Sequence, residues 1–273
     1  MIALITGGSS GLGFQLARLF ARDGNVLLLV SENDDQLKNA GDNLKSEFPS
    51  VKIHTLCCDL SRASAATEVH KWSKQFGNVD ALVNNAGFGT FGYLNDIAEE
   101  KEHAMLQLNI MSFYFLTRMF LADMEKTDGG RILNISSNTA LQPVPLMSAY
   151  AATKSFVRHF SQSLHRELKS KNSNVTVTVV CPPAIHNTAF KDRAEMSDVR
   201  TFSSFLSATA EEVAKDAYEG MMKGKELVIA GKVLRNTRWL NKLLPEFIVS
   251  KILWRELKRK SNQRSGPGQD IEI

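Results

Sequence analysis

The chain has 273 residues, of which 43% are hydrophobic, and its formal net charge is +4 at pH 7. This length and hydrophobic content give room for one large α/β domain with a sizeable core, or for two small ones. No apolar run approaches the roughly 20 residues that a membrane span requires. The positive charge is concentrated in residues 232–260, which hold nine Lys or Arg and two Glu, and this disfavours a nucleic-acid-binding main domain.

The cysteines and histidines suggest neither a disulfide framework nor a metal site. Cys57, Cys58 and Cys181 lack the spacings typical of either, and we expect three buried thiols in a reduced compartment. The six histidines form no metal-ligand pattern. Because the first residues do not resemble a secretion signal, we expect a cytoplasmic protein.

The first predicted element is an apolar strand over residues 2–6, which is followed by a glycine-rich turn and a helical pattern over 14–21. This order of elements is typical of phosphate-binding loops, because glycines let the backbone approach an anion and a helix N-terminus offers free N–H groups. The spacing of Gly7, Gly11 and Gly13 differs from the common Gly-x-Gly-x-x-Gly pattern. The alternative interpretation is an ordinary glycine-rich turn.

The second apolar strand, over residues 26–30, ends just before Glu32. Glu32 follows Gly13 by 19 residues, near the position where an acidic residue binds the adenosine ribose in dinucleotide-binding units. A carboxylate at this position would also repel a 2′-phosphate. The alternative is a solvated glutamate in a loop.

The alternation of elements continues with a helix over 34–48, a strand over 51–57, a helix over 63–76 and a strand over 80–83. This rhythm predicts a parallel sheet with helices on both faces. Asp59 follows the third strand, and residues 84–87 follow the fourth. Both segments are therefore expected at the carboxyl ends of strands, where doubly wound sheets form their ligand crevice.

A candidate catalytic group combines the end of the next strand with the helix after it. An apolar run at 132–136 leads to Ser137, and a helix is predicted over 148–171. Tyr150 and Lys154 are four residues apart on that helix and share one face. An ammonium group beside a tyrosine is expected to lower its pKa from about 10 toward the range useful for acid–base catalysis. Taken alone, such a pair is more often a surface or packing feature.

Six motifs, in this order and spacing, resemble those of the short-chain dehydrogenase/reductase family, of the single-domain Rossmann type. The resemblance covers residues 1–190, and the segments 85–92 and 142–147 further resemble a bacterial subgroup of general oxidoreductases. It implies a Rossmann fold and a reaction that depends on a nicotinamide cofactor. The motifs lie at residues 6–13, 58–60, 84–87, 108–110, 134–137 and 150–154.

The resemblance assigns roles to the matching residues. Tyr150 would be the general acid or base, and Lys154 would lower its pKa and hold the nicotinamide ribose. Ser137 would orient the substrate oxygen, since its neighbour Ser136 fits the family spacing less well. Asn109, in a long helix predicted over 99–126, would position a water for proton relay. The implied cofactor contacts are Gly7, Ser9, Ser10, Gly11, Leu12 and Gly13 in the glycine loop, Glu32 at the ribose, Asp59 and Leu60 at the adenine, Asn85, Ala86 and Gly87 along the adenosine half, and Tyr150, Lys154, Pro182 and Ile185 around the nicotinamide.

The chain departs from the family pattern after its sixth strand, predicted over 175–180. The usual Pro-Gly is replaced by Pro182 and Pro183, and Thr188 falls one residue later than usual. Because proline removes a backbone donor and fixes φ, we expect the loop over the nicotinamide to follow a different path, which weakens the assignment of Thr188 and Ile185. Ser112 replaces a common glycine after the Asn109 motif, and the helix should tolerate it.

The rest of the chain is expected to complete the substrate side and the edge of the sheet. Residues 184–209 predict a lid that includes His186, a candidate substrate contact. A capping box at 209–212 starts a helix to residue 222, and a strand over 226–229 closes the sheet. Residues 232–260 form a basic amphipathic extension, which lies on a membrane surface or packs on its own domain or a partner subunit, and 261–273 are expected to be disordered. A predicted apolar wall comprises Phe88, Phe91, Val144, Leu146 and Met147.

The sequence thus predicts a doubly wound, mainly parallel, seven-stranded Rossmann sheet in one domain, residues 1–231. We expect an oxidoreductase that transfers a hydride between a nicotinamide cofactor and a fairly apolar carbonyl or alcohol, without a metal. Glu32, where many relatives carry an arginine, favours NAD(H) over NADP(H). The resemblance implies a homodimer or homotetramer that buries the helices around Asn109 and Tyr150. The alternative is a non-catalytic dinucleotide-binding sensor or scaffold, attached to a membrane or partner through the basic tail, which would not need the proton donor Tyr150.

Overall fold

The structure is a computed structural model that describes residues 1–127, 129–186 and 207–231, together with Phe190, Ala194, Lys251, Trp254 and Leu257. The prediction for Thr188, most of the predicted lid, most of the basic extension and all of residues 261–273 lie outside the described residues. Within the described part of the chain, no helix has both the length and the apolar composition needed to span a membrane.

Seven parallel strands form one central sheet in the order β3-β2-β1-β4-β5-β6-β7. The sheet confirms the predicted fold class, and its strands are parallel throughout rather than mainly parallel. The strand order reverses between β1 and β4, and such a switch point opens a crevice at the carboxyl ends of the strands. The strands are β1 (Ile2–Thr6), β2 (Val26–Ser31), β3 (Ile53–Cys57), β4 (Ala81–Asn84), β5 (Gly130–Ile135), β6 (Val175–Cys181) and β7 (Leu227–Ile229).

Helices cover both faces of the sheet, because side chains alternate along each strand and both faces are apolar. In β1, Ile5 packs in a core with the helices over residues 11–22, 34–47 and 210–222. Leu4 packs on the opposite face with the helices over 65–73, 113–126 and 148–170. The core is therefore split into two layers around the sheet. The helices are α1 (Gly11–Arg22), α2 (Asp34–Glu47), α3 (Ala65–Ser73), α4 (Glu99–Leu106), α5 (Phe113–Lys126), α6 (Ser148–Ser170) and α7 (Ala210–Met222).

The long helix predicted over 99–126 contains a π-helical segment, Gln107–Ser112, between α4 and α5. Such segments often occur at functional sites, and this one carries Asn109. Ser112 ends the segment with only 1% of its surface exposed, and its hydroxyl donates a hydrogen bond of 2.5 Å to the Leu60 carbonyl. The serine is accommodated because its hydroxyl finds a buried acceptor in the loop after β3.

One local expectation was wrong. Cys57 is exposed rather than buried, because it ends β3, a strand at one edge of the sheet. Cys58 and Cys181 are buried, as predicted. One of the two hydrogen bonds of the predicted capping box is present: Oγ1 of Thr209 accepts a hydrogen bond of 3.1 Å from the Glu212 amide at the start of α7.

Candidate active site

A cavity of about 320 Å³ lies at the carboxyl ends of the strands, where the strand order reverses. A volume of this size is within the range of small-molecule sites. Among the predicted site residues, Gly13 and Asn109 do not line it. Those that line it are Gly7, Ser9, Ser10, Gly11, Leu12, Glu32, Asp59, Leu60, Asn85, Ala86, Gly87, Ser137, Tyr150, Lys154, Pro182 and Ile185.

The glycine loop between β1 and α1 is shaped for close contact with its neighbours. Gly7 and Gly11 have φ angles of +64° and +52°, which side-chain-bearing residues rarely adopt. A Cβ atom on Gly13 would overlap the carbonyl oxygen of Gly7 and lie 2.6 Å from Nδ2 of Asn85. Only a glycine fits at position 13, because the loop backbone at Gly7 packs directly against it. The first turn of α1 lines the cavity, and the N–H groups of a helix N-terminus suit an anionic phosphate group.

Thr6 fixes the glycine loop to the segment after β4, a role that the sequence analysis did not assign to it. Its hydroxyl donates to the Val83 carbonyl at 3.2 Å and accepts from the amides of Asn85 and Ala86, both at 3.0 Å. The Asn85 side chain donates in return to the carbonyl oxygens of Thr6 and Gly7, at 3.0 and 3.2 Å. The two loops that line the crevice are thus held as one unit.

The end of the cavity beyond the glycine loop is polar and acidic. Glu32 lines it, together with Ser31 and Gln36, which the sequence analysis missed. Oδ1 of Asp59 accepts hydrogen bonds from the amide and hydroxyl of Ser61, at 2.8 and 2.7 Å, so this carboxylate also holds its own turn. Among the described lining residues, no Lys or Arg lies at this end.

Ser137 and Tyr150 meet at the opposite end, where β5 finishes and α6 begins. The Ser137 hydroxyl lies close enough to the Tyr150 phenol to influence its pKa. This hydroxyl donates to Oδ1 of Asn138 and accepts from the Thr139 amide, both at 3.2 Å. Ser136 points elsewhere, because neighbouring residues of an extended chain project to opposite sides. Its hydroxyl donates to the backbone carbonyl of Lys154 at 2.7 Å and so ties α6 to the sheet.

The electrostatics of Tyr150 and Lys154 differ from the sequence-based expectation. Burial raises the pKa of Tyr150, an effect that the neighbouring Ser137 hydroxyl only partly offsets. Burial also lowers the pKa of Lys154 to about 8. The prediction that Lys154 lowers the pKa of Tyr150 is therefore wrong for this structure. Its ammonium group donates to the Ile135 carbonyl at 3.1 Å and lies 5.8 Å from the centre of the tyrosine ring, so desolvation dominates.

Asn109 and Lys154 both line a second, smaller cavity. Because Lys154 also lines the main cavity, the two cavities are neighbours. The amide nitrogen of Asn109 donates to the Phe88 carbonyl at 2.9 Å and to Oγ1 of Thr153 at 3.2 Å. Its Oδ1 is buried and has no hydrogen-bond partner within the described part of the chain. A Cβ atom on Gly87 would be 2.9 Å from this oxygen and 3.3 Å from the Lys154 ammonium nitrogen, so both atoms face the same small space.

The loop after β6 is fixed despite its consecutive prolines. Pro182 and Ile185 line the cavity, as do the two residues between them. Ile185 pairs with Ala208 in a parallel bridge that continues toward α7. His186 does not line the cavity, and its ring nitrogen Nε2 lies 2.9 Å from the Ser207 hydroxyl. The loop is therefore joined to the chain before α7.

An apolar cluster adjoins the Tyr150 end of the cavity. Of the five predicted wall residues, Val144 and Met147 line the cavity, and the other three pack in or against the same cluster. The sequence analysis missed Phe190 and Leu257 as lining residues. Leu257 belongs to the basic extension, so at this residue the extension packs on its own domain. Other lining residues that were missed are Asn138, Thr139 and Gln142.

Residues 1–198 match the model of a family described as short chain dehydrogenase. Among curated proteins, 11-beta-hydroxysteroid dehydrogenase-like 4A of Arabidopsis thaliana is 30% identical over 257 residues, or 92% of this chain and 83% of that protein. The very-long-chain 3-oxoacyl-CoA reductase of Rattus norvegicus is 32% identical over 216 residues, or 77% of this chain and 68% of that protein.

Solved structures agree with these matches over most of the chain. A short-chain dehydrogenase from Sphingobium yanoikuyae in complex with NADPH has a TM-score of 0.78 and 26% identity, and the match covers 97% of this chain and 98% of that one. A bulky-bulky ketone specific alcohol dehydrogenase from Comamonas testosteroni has a TM-score of 0.74 and 27% identity, with coverage of 89% and 91%.

Proposed function

The chain belongs to the short-chain dehydrogenase/reductase family of oxidoreductases, and we propose that it uses Tyr150 as the general acid or base in an NAD(P)-dependent interconversion of a carbonyl and an alcohol. The observation that carries this proposal is that Ser137, Tyr150 and Lys154 line the same cavity as the glycine loop. When bound, the nicotinamide cofactor supplies or accepts the hydride.

The cavity has the features that a dinucleotide needs along its length. The start of α1 would hold the pyrophosphate, since Gly11 and Leu12 in its first turn line the cavity and a helix N-terminus offers backbone N–H groups to an anion. Glu32 would bind the adenosine ribose, and Lys154 the nicotinamide ribose. The remaining contacts are those that the family resemblance implies, and all of these residues line the cavity: Asp59 and Leu60 at the adenine, Asn85, Ala86 and Gly87 along the adenosine half, and Pro182 and Ile185 at the nicotinamide.

Tyr150 would hold or release the proton at the substrate oxygen. Its raised pKa keeps the phenol neutral near pH 7, which is the form that can protonate a carbonyl oxygen. Ser137 would orient that oxygen through its hydroxyl. Lys154 and Oδ1 of Asn109 face one small space, where a water would connect the phenol to solvent and restore its proton.

We propose NAD(H) as the preferred cofactor, because the ribose end of the cavity carries a negative charge. A 2′-phosphate beside Glu32 would be repelled, and the described lining residues provide no cation there to offset this. The Sphingobium relative was solved with NADPH, so the preference of this chain rests on Glu32 rather than on similarity.

The substrate is proposed to be a carbonyl or alcohol with a sizeable apolar group. Beside Tyr150 the cavity is lined by Val144, Met147 and Phe190. The names of the rat reductase of very-long-chain 3-oxoacyl-CoA and the Comamonas dehydrogenase of bulky ketones support a large carbonyl compound.

We also propose that two copies of the chain associate through α5 and α6. Large apolar side chains are exposed along this face, and ring contact between Phe113 and Phe156, with centroids 6.3 Å apart, makes the patch continuous across the two helices. A patch of this kind is typical of an interface. Its exposed members are Phe115 on α5 and Phe156 on α6.

The catalytic role is tested by comparing Tyr150→Phe with Tyr218→Phe. Both tyrosines are 5% exposed, but Tyr218 donates to Asp23 at 2.7 Å and does not line the cavity. With a panel of ketones, Tyr150→Phe is expected to lower kcat by about 100-fold or more while cofactor binding, followed by fluorescence, is retained. Tyr218→Phe should keep kcat and lose only some stability. Cofactor binding without turnover of any ketone or alcohol by the unmodified protein would instead favour the sensor or scaffold function.

A further inference from the structure

We propose that Leu257, near the end of the sequence, closes the substrate end of the cavity and sets the length of the apolar group that the site accepts. Leu257 is 4% exposed and lines the same cavity as Tyr150, although the two residues are 107 positions apart in the chain. The inference rests on the proposed function and deepens it, because it concerns which carbonyl compounds fit beside the reacting group.

The described residues of the C-terminal segment show how it is held. Lys251, Trp254 and Leu257 are helical and follow one another at intervals of three, and they pass from exposed through half-buried to buried. The ring of Trp254 contacts the ring of Tyr93 edge to face, with centroids 6.2 Å apart. This contact joins Trp254 to the loop after β4, three residues before Leu257 enters the cavity lining.

Leu257 lies at the substrate end of the cavity rather than the cofactor end. It belongs to the buried cluster that contains Tyr150, Met147 and Val144, and the ring of Phe190 packs against the same cluster. The centroids of Phe190 and Tyr150 are 5.4 Å apart. None of these cluster members carries a charge, so the part of a substrate that extends from the reacting carbon toward Leu257 is expected to be apolar.

The size of residue 257 should therefore control substrate length. Shortening Leu257 removes three carbon atoms from the end of the cavity and makes room for a longer chain, whereas a larger side chain fills that room. Each methylene group of a substrate that the pocket buries or excludes changes the affinity severalfold. Hydrophobic pockets therefore distinguish substrates that differ by one methylene group by about 10- to 200-fold in kcat/KM. The expected shifts for smaller and larger residues are thus opposite in sign.

The experiment measures kcat/KM for the linear 2-alkanones from 2-butanone to 2-tetradecanone with the intact protein and with Leu257→Ala, Leu257→Phe and Leu168→Ala. Leu168 is the matched control, because it is 3% exposed, packs in a separate core cluster together with Leu4 and does not line the cavity. Leu257→Ala should shift the preference toward longer ketones by about tenfold or more, Leu257→Phe should shift it toward shorter ones, and Leu168→Ala should leave the profile unchanged.

The outcomes separate this inference from the proposed function. Turnover by all variants with one unchanged chain-length optimum would overturn the inference and leave the proposed function in place. Absence of turnover by the unmodified protein with every ketone would overturn both. If Leu257→Ala does not fold, as judged by circular dichroism, Leu257→Phe decides the question, because an unchanged optimum for this variant contradicts a limiting role.

Discussion

The ammonium nitrogen of Lys154 lies 5.8 Å from the centre of the Tyr150 ring, and both side chains are buried. Desolvation acts on the two groups in opposite directions, since it disfavours the charged form of each. The pKa of Lys154 falls to about 8, and the pKa of Tyr150 rises. Without a cofactor, the two side chains are therefore expected to form a neutral pair as the pH rises above 8.

The shift of Lys154 predicts a pH-dependent stability. An unfolded lysine keeps its proton up to about pH 10, whereas folded Lys154 releases it near pH 8. Between these values the unfolded state binds more protons, so the stability of the folded state rises with pH. The raised pKa of Tyr150 has the opposite effect only above about pH 10, where the unfolded tyrosine loses its proton.

We expect the free energy of unfolding of the cofactor-free protein, compared with that of Lys154→Met, to increase by about 2 kcal/mol between pH 7 and pH 10. Urea unfolding at fixed pH values measures it. Most other titrating groups contribute equally to both proteins and cancel in the difference. A difference that stays constant over this interval would show that Lys154 titrates as it does in the unfolded chain.

The carboxylate of Glu32 is predicted to control cofactor choice. Glu32→Gln removes the negative charge at the ribose end of the cavity and should improve the NADPH affinity relative to the NADH affinity by about tenfold, which corresponds to about 1.4 kcal/mol. Fluorescence titration with each cofactor measures the ratio. Glu99→Gln, at the exposed start of α4, is the control and should not change it. Tighter binding of NADPH by the unmodified protein would contradict the assignment.

A pair of glycine substitutions tests the close packing of the phosphate loop. Gly13→Ala places a Cβ atom against the Gly7 carbonyl and Asn85, so the loop must shift and cofactor binding should be lost. Gly41→Ala, inside α2, meets nothing within 4 Å. It should raise the free energy of unfolding by about 0.5–1 kcal/mol, since alanine favours the helix. Retained cofactor affinity in Gly13→Ala would exclude the proposed role of the loop.

The exposed aromatic face of α5 and α6 is predicted to hold two copies together. Phe115→Lys places a charge at the centre of this face and should convert the dimer to a monomer in analytical ultracentrifugation. Leu94→Lys is the control, because Leu94 is more exposed, at 60%, but lies on the loop after β4. If the unmodified protein sediments as a monomer, or if both variants remain dimeric, this interface is wrong.

Local sequence patterns were sufficient to predict the parallel sheet and the position of the crevice at its carboxyl edge. Alternating apolar runs and helical segments predicted seven strands and their parallel arrangement, because each strand and helix repeats its buried positions with a fixed period. Chain order and strand ends then predicted that Glu32, Asp59 and Asn85 would meet at one edge of the sheet, and all three line the cavity. The preference for Ser137 over Ser136 came from the spacing of the family motif rather than from a local pattern.

Only the tertiary structure decided the properties that depend on distant parts of the chain. The direction of the Tyr150 pKa shift follows from burial by surrounding segments, which outweighs the neighbouring Lys154. Cys57 is exposed because β3 lies at one edge of the sheet, and strand order is not contained in the residues around it. Leu257 reaches the active cavity from the end of the sequence. Periodicity shows that a helix has an apolar side, but the packing of the whole chain determines what that side covers.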